Sequence, residues 1–96
     1  MSRKHYLISY DIADPRRLRR VARIMEGFGY RVQFSVFQCP LDDTRFEQLK
    51  AAITPVIHSD EDQVLIVCLG PDTEQTFQRF DYLGRPYRAA SRITII

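Results

Sequence analysis

The sequence has little of what builds a thiol, zinc or nucleotide-loop centre. It holds two cysteines, Cys39 and Cys68, 29 residues apart, and two isolated histidines, His5 and His58. Neither CxxC nor HxxxH spacing occurs, so nothing points to a structural zinc. Each cysteine has apolar neighbours, and the pair reads as two reduced thiols of a cytoplasmic protein rather than as a disulfide. There is no glycine-rich phosphate loop, no nucleophile elbow and no Ser-His-Asp arrangement. No apolar run approaches the roughly 18 residues that a membrane span needs. The opening "MSRKHYLISYD" enters a strand pattern almost at once, which predicts no signal peptide. With 96 residues, 45% of them hydrophobic and 27% charged, the composition predicts one soluble domain with a modest core.

What is present is charge, unevenly distributed. The net charge is only +2, yet residues 1 to 41 carry eight Lys or Arg against three Asp or Glu. Residues 42 to 76 reverse this, with two against eight, and residues 77 to 96 carry four against one. Such segregation can build a basic surface on a nearly neutral protein.

Periodicity supplies the elements. "HYLISY" alternates and predicts a strand over about residues 4 to 11. "ADPRRL" then offers Asp14 as N-cap and Pro15 at the first helical position, where its missing N–H costs nothing. At about 100° per residue, Leu18, Val21, Ala22, Ile24, Met25 and Phe28 share one arc. Arg16, Arg19, Arg20 and Arg23 share the opposite arc, with Arg17 on its flank, and Gly27 and Gly29 end the helix. "YRVQFSVFQCPL" alternates again and predicts a long strand, bent or split by a bulge, ending at Pro40. Asp42 or Asp43 caps a second helix carrying Phe46, Leu49, Ile53 and Val56, which Pro55 kinks or terminates. "HSDED" is an acidic turn. "QVLIVCL" predicts a strand buried on both faces, "FQRFDYL" an edge strand, and "SRITII" a short terminal strand. The order predicts a ferredoxin-like α+β sandwich, with two helices on one face of an antiparallel sheet. The single domain spans residues 1 to 96, its core over about 1 to 83. The strand at about 91 to 96 gains little against its own chain, which predicts a homodimer in which it joins the partner's sheet.

Two constellations carry chemistry. Asp11 ends the first strand, on the face of Leu7 and Ser9. It is either a strand-end carboxylate bonded to nearby backbone N–H groups or one ligand of Mg²⁺, with a second Asp11 supplied across a two-fold axis. The arginine arc is either a solvated face or a phosphate grip. Like charges four apart and cations near a helix N-terminus both cost stability, and an anion relieves both penalties. An arc of arginine without lysine favours phosphate. Arg31, Ser35 and Phe37 share a strand face, and Tyr10 with Phe37 either joins the core or flanks a site or dimer seam.

At "YLISYDIADPRRLRRVARIMEGFGYRVQFSVFQCPL" the chain resembles the CRISPR-associated protein 2 family. The shared pattern is a strand ending in Tyr-Asp, an arginine-bearing helix, a glycine break, then Arg-Val-Gln-aromatic-Ser-Val-Phe. The resemblance implies a homodimer with exchanged tail strands, and Asp11 of both copies meeting over Mg²⁺. It implies spacer acquisition, with the dimer bridging two dimers of the integrase, CRISPR-associated protein 1, and arginines holding DNA phosphates. It also implies metal-dependent endonuclease activity on RNA or double-stranded DNA, with Tyr10, Asp11, Arg31 and Phe37 at positions linked to activity. Arg16, Arg17, Arg19, Arg20 and Arg23 are the expected nucleic-acid contacts. The competing reading is a small-molecule-sensing ferredoxin-like regulatory domain, which predicts a ligand at the dimer seam and no affinity for nucleic acid.

Overall fold

A computed structural model describes residues 2–85. The elements run β1 (Lys4–Asp11), α1 (Pro15–Glu26), β2 (Tyr30–Gln33), β3 (Val36–Leu41), α2 (Asp43–Ile53), β4 (Gln63–Pro71) and α3 (Glu74–Phe77). The sheet order is β2-β3-β1-β4, with every neighbouring pair antiparallel. This βαββαβ winding is the ferredoxin-like arrangement, followed by one extra helical turn.

Local chemistry starts and stops the helices where the sequence indicated. The Asp14 side chain accepts hydrogen bonds from the Arg16 and Arg17 backbone N–H groups, and Pro15 opens α1. Asp42 is the N-cap of α2, accepting from Arg45 N at 2.8 Å. α2 ends at Ile53, with Thr54 as C-cap immediately before Pro55. The guanidinium of Arg45 donates to Gly27 O at 2.9 Å and lies 4.2 Å from the Phe28 ring centroid. One α2 cation thereby closes the C-terminus of α1, where cations are favoured.

The core lies between the two long helices and one sheet face. Tyr6, Ile8 and Tyr10 of β1 meet Val21 and Met25 of α1, Leu49 and Ile53 of α2, and Phe37, Cys39 and Leu41 of β3. Tyr6 stacks on Phe46 with centroids 4.3 Å apart. Both cysteines are free, Cys39 buried and Cys68 exposed, and burial pushes the Cys39 thiol up to about 12.

Three expectations are corrected. The segment 30–41 is a hairpin of two strands, not one long strand. Gln33 pairs with Val36 across a two-residue tip, and the register shifts between Arg31 and Gln33. β4 is not buried on both faces. Val64 and Ile66 pack against the core, but Leu65 and Val67 on the other face are 55% and 38% exposed, because α1 and α2 cover one face only. "FQRFDYL" forms no strand through Leu83. Thr73 caps α3 instead, and the Thr76 hydroxyl donates to Pro71 O at 2.6 Å. Helical spacing then brings Phe77 and Phe80 against His5, with ring centroids 6.4 and 5.8 Å away. His5 is buried on the face of β1 opposite α1 and α2, its ring nitrogens facing Gln38 Oε1 at 2.8 Å and Asp72 Oδ1 at 3.1 Å. The expected terminal strand at 91–96 lies outside the described residues.

Gly29 joins α1 to β2 at a close approach. A Cβ built there meets Gln38 O at 2.3 Å and Cys39 Sγ at 2.6 Å, so only glycine lets the chain pass under β3. Gly29→Ala is expected to lower the unfolding free energy by about 1–3 kcal/mol, the range of core overpacking, measured by urea denaturation.

Candidate nucleic-acid interface

Strand parity distributes the residues singled out above. On β1, Tyr6, Ile8 and Tyr10 point to the helices, while Leu7, Ser9 and Asp11 belong to the opposite face. Tyr10 and Asp11, neighbours in sequence, therefore project to different sides of the sheet. Arg31 and Phe37 do share a face, but through cross-strand pairing in the β2–β3 hairpin rather than through spacing on one strand.

Tyr10, Arg19, Arg23, Arg31 and Phe34 line one groove of about 250 Å³ between α1 and the hairpin. Tyr10 is almost wholly buried, and its hydroxyl donates to Phe34 O at 3.5 Å. Phe37 is fully buried. Expected at a position linked to activity, its ring instead packs beneath Arg31, whose guanidinium carbon lies 5.3 Å from its centroid. The same carbon lies 5.9 Å from the centroid of Phe34, so Arg31 is held between two aromatic rings. Arg31 is solvent-exposed and able to meet an anion.

The five arginines of α1 are not equivalent. Arg16, Arg19, Arg20 and Arg23 are exposed and have no ion-pair partner among the described residues. Arg17 is committed elsewhere. Its Nε donates to Asp62 Oδ2 at 2.7 Å, and its Nη2 donates to Asp62 Oδ1 and to Glu61 Oε1, each at 3.1 Å. The Asp62 side chain is fully enclosed and also accepts from Ala13 N at 2.9 Å and His58 N at 2.8 Å. One carboxylate thus ties the loop after β1 and the start of α1 to the loop before β4. Sequence reading missed Asp62. The only hint was an acidic turn standing beside an arginine-rich helix with too few acids of its own.

This commitment decides how Asp11 is read. The N–H groups near the strand end are taken by Asp62 at Ala13 and by Asp14 at Arg16 and Arg17. The exposed Asp11 carboxylate makes no hydrogen bond or ion pair with the described residues. Nor do the described residues gather three metal-ligating side chains anywhere. One uncommitted carboxylate fits Mg²⁺ only as part of a water-rich shell, since that ion keeps several waters and takes one or two carboxylates. A second copy of the chain would complete such a pair.

The structure defines a small ferredoxin-like α+β domain with a cationic groove on its helix side. The family described as CRISPR associated protein Cas2 matches residues 4–77, and the chain belongs to that family. It is 41% identical over 91 residues to the CRISPR-associated endoribonuclease Cas2 of Geobacter sulfurreducens, covering 95% of each chain. The structure of Streptococcus pyogenes Cas2 matches with a TM-score of 0.74 at 32% identity, over 83% of this chain and 99% of that one. A chain of a partial Cas6-RT-Cas1–Cas2 complex matches with a TM-score of 0.69 at 27% identity, over 90% of this chain and 97% of that one. No helix among the described residues is long and apolar enough to cross a membrane.

The hydrogen bonds from Arg17 hold the Asp62 carboxyl well below the usual carboxylate range. The Arg17 and Arg16 backbone N–H groups likewise lower Asp14. Both folded-state values lie beneath the unfolded one, so their stabilisation is complete above about pH 4 and drains away as pH falls towards the folded values. Asp62→Asn is expected to lower the urea midpoint at neutral pH and to flatten its decline below about pH 4, followed by denaturation across a pH series.

Proposed function

We propose that two copies of this chain form a nucleic-acid-binding dimer of CRISPR adaptation, which bridges integrase dimers and grips phosphodiester backbone through α1 and Arg31. The observation that carries this reading is the set of four exposed arginines with no ion-pair partner among the described residues, beside a groove whose far wall supplies a fifth. Like charges so close on a helix cost stability unless an anion answers them, and guanidinium groups donate paired hydrogen bonds to phosphate oxygens. Backbone contacts of this kind are blind to sequence and strongly salt-dependent. The structural likeness to a chain of a Cas1–Cas2 complex supports the bridging role.

The sheet face opposite α1 and α2 supports the dimer. Leu65 and Val67 are exposed there beside Leu7, and a second copy would cover them. Pairing through that face would also bring two Asp11 side chains towards one axis, where they would hold Mg²⁺ in common. The ion would supply a bound water of lowered pKa for attack on phosphorus. The chain's own residues would do the rest: Arg31 and the α1 arginines hold the phosphate, and Tyr10 fixes the hairpin that carries Arg31. The relative named an endoribonuclease supports a nuclease reading of this site. A sensing domain for small molecules is not favoured, because the groove is rimmed by arginines that form no ion pair among the described residues.

Binding to a DNA duplex is expected to fall steeply with salt, and Arg19→Ala or Arg23→Ala to reduce the slope of log affinity against log salt by about one each. A flat salt response overturns the backbone grip. Asp11→Ala is expected to abolish Mg²⁺-dependent cleavage while leaving duplex affinity within about two-fold. Cleavage persisting at the wild-type rate would remove Asp11 from the chemistry. Retention of the chain with its integrase and a short duplex in a pull-down tests the bridge.

A further inference from the structure

Phe34 is the feature that phosphate binding leaves unexplained. It is 73% exposed at the tip of the β2–β3 hairpin, a position where a polar residue would serve solubility better. Its setting is built rather than loose. The Tyr10 hydroxyl donates to its carbonyl, and Tyr10 N donates to Ser35 O at 3.1 Å, so the tip is tied to the central strand. The side chain lines the same groove as Arg19, Arg23 and Arg31. This groove lies on the helix side of the sheet, away from the face carrying Leu65 and Val67, and β2 is the edge strand farthest from β4. A second copy seated on the face opposite α1 and α2 leaves Phe34 open.

We propose that Phe34 and Arg31 form a stacking platform for one unpaired nucleobase of single-stranded nucleic acid, with Arg19 and Arg23 across the groove holding the flanking phosphates. The argument rests on the nucleic-acid reading above and narrows its substrate to strands with unpaired bases. A planar ring backed by a guanidinium offers a π-face and a cation to any base, whatever its sequence. Cations on the opposite wall suit the backbone that such a base carries. A paired duplex presents phosphates but no free base face, so it engages the arginines and leaves Phe34 unused.

The test compares the full chain with Phe34→Ala and Phe34→Tyr, using fluorescence anisotropy on a short single strand and on a blunt duplex of the same sequence. NMR of the Phe34 ring protons and sedimentation of each variant complete it. The expected result is a roughly ten-fold loss of single-strand affinity in Phe34→Ala, within the range of base–aromatic stacking. Phe34→Tyr restores it, the ring protons shift upfield on adding the single strand, and duplex affinity in Phe34→Ala falls by much less than single-strand affinity. Unchanged single-strand affinity in Phe34→Ala overturns the platform, as does an equal loss on both substrates. A shift of Phe34→Ala towards monomer overturns it too, by assigning the ring to a contact between copies. If the unsubstituted chain binds duplex but loses nothing on truncation at Phe34, only the platform fails. If it binds neither nucleic acid, the nucleic-acid reading fails with it.

Discussion

The pairing of Arg17 with Asp62 is the contact on which the functional surface depends. It is bidentate, and the carboxylate is enclosed; removing one partner from such a pair strands the other charge away from water. Asp62 also takes two backbone N–H groups, at Ala13 and His58, so one side chain fixes both loops at that end of the sheet. The direction of α1 away from β1 follows, and with it the aim of every other arginine on the helix. Arg17, one of the arginines expected to contact nucleic acid, is bonded to Asp62 and Glu61 in the structure.

Placement of the remaining groups is a matter of strand parity. Because adjacent β1 residues face opposite ways, Tyr10 joins the groove beneath Arg31 while Asp11 stays on the uncovered face. The cationic groove and the acidic strand end are therefore separate surfaces on one chain. A phosphate held at Arg19 or Arg31 does not meet Asp11 by local geometry alone. The groove and the strand end consequently draw on different residues.

Much of this was legible in the sequence, and the failures have physical causes. Asp14, Pro15 and the apolar arc of α1 are local signals that tertiary structure did not override. The hairpin escaped notice because its tip, Phe34–Ser35, lacks the glycine, asparagine or aspartate that marks a two-residue turn. No non-glycine residue among those described adopts a positive φ, so the tip needs none of them, and the register shift at Val32 absorbs the strand twist. Pairing Arg31 with Phe37 gave the right face for the wrong reason. The partner of Arg17 was invisible for another cause: it lies 45 residues away, and no local rule links an acidic turn to a helix that distant. β4 looked like a central strand because its composition is apolar throughout, yet it is the sheet's edge strand with Leu65 and Val67 exposed on one side.

The near-neutral net charge now has an explanation in the disposition of the acids. Asp14 and Asp42 cap helices, Asp62 holds Arg17, and Asp72 lies against Arg3 and His5. These carboxylates of a nearly balanced sequence are engaged with backbone N–H groups or with cations away from the groove. They neutralise little of the field at Arg19, Arg20, Arg23 and Arg31. Glu26 is the acid that lines the groove itself, one negative charge against three arginines there. A polyanion approaching this side meets uncompensated guanidinium groups, although the whole chain carries only +2. Net charge is a poor guide to such a protein; what matters is which charges the fold has already answered.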